Sequence, residues 1–182
     1  MLPFAAALAH PHDIAAAQST AMDEETFRLF YNRTARPLRA YLAATLHDRS
    51  LADDLLQDAF LRFLQANLPA SMEGEHRKNY LFRIATNLMR DHFRSAKRKP
   101  PAGSVSETRL DEHVARKNDI HRIMEKLRPR ERELLWLAYV EQFSHNEIAT
   151  MIGAKSQSIR SMLARARESF ANLVRARPGV TL

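Results

Sequence analysis

The chain has 182 residues, enough for one large domain or two small ones, and it contains no cysteine. The absence of cysteine excludes disulfides and cysteine-ligated zinc, and the four glycines form no glycine-rich phosphate loop. A formal net charge of +7 favours an anionic partner. The basic excess lies in two segments, residues 87–101 and 155–177, so the positive charge is concentrated rather than spread along the chain.

Residues 1–22 are alanine-rich and are predicted to form a mobile tail. A secretory signal needs a basic start and an unbroken apolar run, but the first Lys or Arg is Arg28, and residues 10–13 interrupt the run. The apolar stretch is also too short to span a bilayer. The sequence therefore predicts a cytoplasmic protein without membrane insertion.

Two amphipathic helices are predicted next. The first covers residues 24–47, where apolar side chains recur at three- and four-residue steps, and Pro37 is expected to kink or split it. The second begins at Ser50, which is placed to form a capping box with Asp53. Its exposed side is acidic, so it is a poor ligand for DNA and a plausible ligand for a protein.

A loop and a third helix complete the first predicted domain, residues 23–95. The loop covers residues 66–79, a length of about a dozen residues that is typical of functional loops. The third helix continues to about Arg94. Three helices that each have an apolar side can close around one core.

A linker is predicted at residues 96–115, because basic residues, Pro100 and Pro101 follow one another there without apolar periodicity. The second predicted domain, residues 116–177, starts with apolar positions at helical spacing. Another helix is expected at residues 130–141. Within it, Trp136 and Tyr139 are compatible with either the core or the surface.

A helix-turn-helix at residues 144–170 is the most informative motif. Ser144 and Glu147 have the spacing of a capping box, and Gly153 suits the left-handed turn that ends a short helix. Ala149 is small where the two helices should cross. The outward side of the second helix contains side chains that can reach base edges and phosphates in a major groove, namely Gln157, Ser158, Arg160, Ser161, Arg165 and Arg167.

Three ordered segments together resemble a known family. They are LADDLLQDAFLRFLQ at residues 51–65, YLFRIATNLMRDHFR at residues 80–94, and the domain at residues 120–174. Their order and sequences resemble the extracytoplasmic-function (ECF) group of the sigma-70 family of bacterial RNA polymerase sigma factors. The resemblance implies an all-α fold with a region 2-like helical domain and a region 4-like helix-turn-helix domain, joined by a flexible linker.

The resemblance also implies residue roles. The acidic helix would dock on the clamp helices of the largest polymerase subunit through Asp53, Asp54, Leu55, Gln57, Asp58 and Phe60. The third helix and the loop before it would hold the unpaired minus-ten element through His76, Arg77, Lys78, Asn79, Arg83, Asn87, Arg90 and Arg94, with one base flipped into a pocket. The minus-35 element would be read by Lys155, Ser156, Gln157, Ser158, Arg160, Ser161 and Arg165.

Further partners implied by the family are the flap of the second-largest polymerase subunit and an anti-sigma factor. The sequence contains no catalytic constellation, and no metal or cofactor is expected, since its histidines lie far apart without a nucleophile motif. Two other classes remain as alternatives. One is a stand-alone helix-turn-helix regulator that binds duplex operators, and the other is an adaptor whose basic helices bind acidic proteins.

Overall fold

The structure is a computed structural model that describes residues 22–66, 68–69, 71–96 and 115–176. Regular structure in these ranges is entirely helical, which confirms the predicted all-α class. The helices are α1 (Glu24–Leu46), α2 (Arg49–Gln65), α3 (Gly74–Ala96), α4 (Ala115–Lys126), α5 (Pro129–Leu135), α6 (His145–Ile152) and α7 (Ser156–Arg175), with a π-helical turn at Trp136–Val140. The predicted tail and the predicted linker fall almost wholly outside the described residues.

Helix α1 is continuous through Pro37, so the split considered from the sequence does not occur. Asp23 caps the helix by accepting a hydrogen bond from the backbone N–H of Thr26 at 2.9 Å. Proline removes one backbone donor from the helix. Buried side chains on both sides of it, including Phe30 and Leu38, hold the two halves against the same core.

Helix α2 begins two residues earlier than predicted. Its N-cap is Asp48, whose carboxylate accepts from the N–H of Leu51 at 3.0 Å, and not Ser50. Asp53, expected to complete a capping box with Ser50, instead forms an ion pair with Arg39 at 2.5 Å. Aspartate and serine are about equally good caps, so the local sequence does not decide between them.

Helix α3 begins at Gly74, well before the predicted start at Asn79, and the preceding loop is correspondingly shorter than predicted. Residues 75–79 are polar and add no apolar position to the helical period, which is why the sequence pattern did not include them. Glu75 lies in the first turn, where a negative charge is favoured by the helix dipole.

The first unit, α1 to α3, closes around an aromatic core. Phe30 stacks on Phe63 with ring centroids 5.0 Å apart, and Tyr41 lies 5.6 Å from Phe82. The hydroxyl of the fully buried Tyr41 shares a 2.9 Å hydrogen bond with that of Thr86, so both buried polar groups are satisfied. Burial raises the pKa of Tyr41 well above its usual value, which keeps this hydroxyl protonated.

The second unit, α4 to α7, contains the predicted helix-turn-helix. Ser144 accepts from the N–H of Glu147 at 3.3 Å, and the Glu147 carboxylate accepts from the N–H of Ser144 at 2.7 Å, so the capping box is present. Gly153 ends α6 with φ at 62°. Helix α7 is amphipathic, and its buried side consists of Ile159, Leu163, Ala166 and Val174.

The helix predicted for residues 130–141 is irregular. After α5 the backbone N–H of Glu141 donates to the carbonyl of Trp136, five residues back, at 3.1 Å. Within this π-helical turn Trp136 is half-buried, while Tyr139 and Val140 are exposed. Tyr139 therefore belongs to the surface and Trp136 to its boundary with the core.

The two units pack directly against each other along a seam, formed by α1 and α3 on one side and by α4, α5, residues 136–143 and α6 on the other. Phe82 of the first unit meets Phe143 of the second with ring centroids 5.1 Å apart. One cluster of buried apolar side chains is continuous from Phe30 to Leu163. The relative placement that the sequence left open is thus a closed one.

Replacing Gly153 with alanine is expected to lower the free energy of unfolding by about 1–2 kcal/mol, because a Cβ is disfavoured in the left-handed conformation. The new Cβ would lie 3.8 Å from Arg90, an ordinary contact, so the cost arises in the backbone alone. Urea unfolding measures the change. Gly74→Ala is the control: its Cβ meets nothing within 4 Å, and the change should be neutral or slightly stabilising. Equal effects of the two substitutions would contradict the prediction.

Candidate nucleic-acid interface

The outer face of α7 presents most of the predicted minus-35 reading residues to solvent. Lys155, Ser156, Gln157, Arg160, Ser161 and Arg165 are exposed, and Ser158 is half-buried. Ile159 and Leu163 on the opposite side pack into the core and fix the orientation of the helix. Within the described part of the chain, neither Arg160 nor Arg165 has a hydrogen bond or ion pair that would restrain its guanidinium group. Both are therefore available to an external anion.

The start of α7 is connected to α6. The Ser156 hydroxyl donates to the side-chain carbonyl of Asn146, near the first turn of α6. This bond joins the two helices of the motif at the end that would approach DNA. Further along, Arg167 donates to the Tyr139 hydroxyl at 3.1 Å, so this arginine is oriented toward the protein surface.

The predicted minus-ten residues divide into two groups. In the first group, His76, Asn87 and Arg94 are exposed, and Arg77 and Arg83 are half-buried. The guanidinium of Arg83 lies 4.9 Å from the centre of the Tyr80 ring, a cation–π contact. These five residues are distributed along α3.

The other three predicted minus-ten residues contact the second unit across the seam. The Lys78 ammonium lies 3.1 Å from the Glu141 carboxylate. The Asn79 amide donates to Glu147 at 2.5 Å. Arg90 donates to Glu133 at 3.1 Å.

A cleft of about 480 Å³ lies beside these contacts, between α3 and α6. Its first-unit wall includes Tyr80 and Arg83, and its second-unit wall includes Asn146 and Thr150. Burial would raise the pKa of Glu147 at its edge, but hydrogen bonds from Ser144 and Asn79 outweigh burial and lower that pKa, which keeps the carboxylate charged. The cleft can therefore accommodate an aromatic or polar group, and the charged Glu147 carboxylate lies at its edge on the second unit.

The predicted polymerase-binding residues of α2 are distributed over both sides of the helix. Asp54, Gln57 and Asp58 are exposed and form one stripe. Asp53 is paired with Arg39, and Leu55 and Phe60 are only 8% and 5% exposed. These two side chains hold α2 on the core and offer no surface to a partner in this arrangement.

Sequence reasoning missed an apolar extension of that stripe. Leu61 and Leu64 are 56% and 50% exposed, although apolar side chains of this size usually avoid water. Leu61 lies one further helical step from Asp54, Gln57 and Asp58. The unusually wide apolar side of this helix in the sequence was the available signal.

A separate apolar groove of about 510 Å³ lies on the second unit. Trp136, Tyr139 and Val140 of the π-helical turn form one wall, and Ile120 and Phe170 contribute others. Its lining is almost entirely apolar, which distinguishes it from the charged faces of α3 and α7. Such a groove suits an apolar side of a protein partner.

The two units correspond to two regions of one protein family. The family model described as sigma-70 region 2 matches residues 30–99, and the one described as sigma-70, region 4 matches residues 117–170. The chain belongs to the sigma-70 family. Within this family the chain is an ECF sigma factor, a promoter-directing subunit of RNA polymerase. Membership of this group does not favour the alternative of a stand-alone regulator.

Several curated sigma factors are similar to this chain in sequence, and two solved structures share its fold. SigZ of Bacillus subtilis is 24% identical over 144 residues, covering 76% of this chain and 81% of SigZ. EcfG of Rhodopseudomonas palustris is 29% identical, covering 75% and 78%. RpoE of Bartonella quintana, solved with the anti-sigma factor NepR, has a TM-score of 0.64 at 21% identity, covering 82% and 96%. CnrH, solved with the cytosolic domain of CnrY, has a TM-score of 0.63 at 23% identity, covering 90% and 96%.

The described part of this sigma factor includes no helix that is both long and apolar enough to cross a membrane.

Proposed function

We propose that this sigma factor contacts its partners through three separate faces: the α2 stripe on polymerase core, α3 on the minus-ten strand, and α7 on minus-35 duplex. The first predicted domain, residues 23–95, would contain the first two faces, and the second, residues 116–177, would contain the third. The observation that carries the proposal is the α7 face, on which Arg160 and Arg165 are exposed and uncommitted opposite a buried side.

On α7 the arginines would contact guanine edges or phosphates, and the serines and Gln157 would complete the contacts. On α3 the half-buried Arg83 and Tyr80 are suited to a stacked, unpaired base, since an arginine plane and an aromatic ring both accept stacking. On α2 the acidic stripe continues into Leu61, a combination of charge and apolar surface that is typical of a protein-binding face.

We further propose that an anti-sigma factor controls the protein, as the structural relatives were solved with NepR and CnrY. Both the anti-sigma factor and the flap of the second-largest polymerase subunit would bind the apolar groove beside Tyr139, so the two partners would compete there. The protein would act in the cytoplasm, where polymerase and chromosome meet, and would have no catalytic activity of its own.

Run-off transcription with purified core polymerase on a library of genomic promoter fragments tests the proposal. Addition of the protein should start transcription from a defined subset of fragments. If no fragment is transcribed above the level of core alone, while the free protein binds a palindromic duplex as a dimer, the regulator alternative replaces the proposal.

Replacing Arg160 with alanine is expected to reduce transcription from the selected promoters by roughly 5- to 150-fold, the equivalent of one base contact worth about 1–3 kcal/mol. Binding to core polymerase should be unchanged. Arg36→Ala is the matched control, because Arg36 is equally exposed but lies on α1. The variant should discriminate between intact and scrambled minus-35 elements less than the wild type does, because one base contact is lost and the others remain. Undiminished discrimination by the variant would argue against a reading role for Arg160.

A further inference from the structure

We propose that Asn146 of α6 is a specificity-determining residue for the minus-35 element, although it lies outside the helix that reads the bases. Asn146 holds the hydroxyl hydrogen of Ser156, the first residue of α7, and thereby leaves that hydroxyl to DNA as an acceptor. Ser156 would then select a base with an amino group in the major groove, which is adenine or cytosine. The inference rests on the proposed function of α7 and adds to it a residue and a chemical class of base.

The two side chains belong to the two helices of the helix-turn-helix. Ser156 begins α7, and Asn146 is the second residue of α6. The Ser156 hydroxyl donates to the side-chain carbonyl of Asn146, and both residues are exposed. In a bound helix-turn-helix the start of the second helix lies at base edges, while the first helix crosses the phosphate backbone. Ser156 would therefore face the bases and Asn146 the backbone.

The hydrogen bond divides the donor and acceptor capacity of Ser156. A hydroxyl has one hydrogen and two lone pairs, and the hydrogen is engaged by Asn146. Adenine and cytosine present amino donors in the major groove, whereas guanine presents two acceptors and thymine presents an acceptor and a methyl group. A serine without an internal partner can contact either kind of base, so the contact with Asn146 makes Ser156 selective.

The amide of Asn146 is suited to keep this orientation on DNA. Its nitrogen has no hydrogen-bond partner among the described residues. An amide nitrogen donates and a phosphate oxygen accepts, so a phosphate beside α6 would hold the nitrogen outward and the carbonyl toward Ser156. One asparagine would thus link the backbone contact of the first helix to the base preference of the second.

Ser161 provides an internal comparison on the same face. Its hydroxyl donates to the backbone carbonyl of Ser158 at 3.0 Å, within α7 itself. The hydrogen of Ser161 is therefore engaged without any help from α6. A change at Asn146 should alter the base preference that depends on Ser156 and leave the preference that depends on Ser161 unaltered.

The test is transcription by core polymerase with the full chain on a promoter library in which the minus-35 element is randomised. Sequencing of the transcribed templates gives the base preference at each position, and Ser156→Ala identifies the position that depends on Ser156. There the wild type should favour adenine and cytosine on one of the two strands by about 3- to 10-fold, the equivalent of one neutral hydrogen bond.

Asn146→Ala frees the hydroxyl of Ser156 to donate as well as accept. The preference at the position that depends on Ser156 should fall below about twofold, because the energy of one hydrogen bond no longer separates the bases. Every other position should stay as in the wild type. A loss of stability alone would lower transcription from all templates equally and would not change the preference at one position.

Asn146→Asp is the conservative variant, and aspartate is favoured in the first turn of a helix. Its carboxylate still accepts from Ser156, so the preference should persist, although the added negative charge beside the phosphates lowers transcription from all templates. Asn172→Ala is the matched control. Asn172 is exposed, its side-chain carbonyl accepts from Arg175 at 2.8 Å, and it lies roughly four helical turns from Ser156. This variant should keep the wild-type preference.

A base analogue tests the amino group directly. The favoured base is replaced by the same base without its amino group, purine for adenine or 2-pyrimidinone for cytosine. Transcription by the wild type should fall about 3- to 10-fold further than transcription by the Ser156→Ala variant, which controls for the weaker base pair. Equal losses for the two proteins would overturn the inference, and so would an unchanged preference in the Asn146→Ala variant.

Failure of the inference differs from failure of the proposed function. If the positions that depend on Arg160 are selective and Ser156→Ala changes no position, only the role of Ser156 and Asn146 is disproved. If no minus-35 position shows a preference and Arg160→Ala has no effect, α7 does not read the element, and the proposed function of this face is disproved as well.

Discussion

Replacement of Asp54, Gln57 and Asp58 by alanine is expected to lower promoter-specific transcription by more than about 100-fold, because central interface residues contribute roughly 2 kcal/mol or more each. The three side chains form an exposed stripe on α2 and have no structural partner among the described residues. Their loss should therefore remove polymerase binding and leave the fold intact. Competition with labelled wild-type protein for core polymerase measures the affinity.

The matched control for the α2 stripe is a triple substitution on α1, Glu24→Ala, Glu25→Ala and Asn32→Ala. It removes two carboxylates and one amide from an exposed helical surface, the same chemistry at a different place. The control should bind core polymerase like the wild type. If both triple variants lose binding equally, net charge rather than the α2 stripe determines the association. If the α2 variant binds normally, the proposed docking face is wrong.

The Phe82→Ala substitution is expected to lower the free energy of unfolding by about 3–5 kcal/mol, the usual cost of removing a buried phenylalanine. Phe82 is completely buried, and its ring contacts Tyr41 within the first unit and Phe143 across the seam. A cavity at this position weakens both units at once. Urea unfolding followed by circular dichroism measures the loss.

The control for Phe82 is Tyr139→Ala, which removes an aromatic ring that is 54% exposed. Its effect should stay within about 0.5 kcal/mol, as for most surface substitutions. Because Phe82 joins the two units, its alanine variant should also unfold in less cooperative steps than the wild type. A loss below about 1 kcal/mol would mean that the seam and the core relax around the cavity far more than close packing allows.

Features that depend on neighbouring residues were predictable from the sequence. The capping box of Ser144 and Glu147 and the left-handed Gly153 follow from residue types at fixed spacing, and the structure has both. The burial of Ile159 and the exposure of Arg160 follow from helical periodicity in the same way. Of the candidate site, the outward face of α7 could thus be placed correctly without coordinates.

Features that depend on distant residues were not predictable. The contact of Asn79 with Glu147 joins residues 68 positions apart, and no local pattern specifies it. For α2, the family resemblance assigned Leu55 and Phe60 to polymerase, although both lie at helical spacing with the other apolar residues of this helix. The structure places both in the core, so the helical period was the better guide to their burial.

The π-helical turn at Trp136–Val140 links two surfaces, the apolar groove of the second unit and the seam with α3. Its wider hydrogen bond, from Glu141 to Trp136, directs Tyr139 and Val140 toward the groove and Glu141 toward Lys78. Deleting one residue from this turn would restore regular α-helical geometry and rotate everything after it by roughly 100°. Loss of a single codon here would thus change the apolar groove and the contact of Glu141 with Lys78 at the same time. An insertion or deletion in this short segment therefore affects both surfaces together.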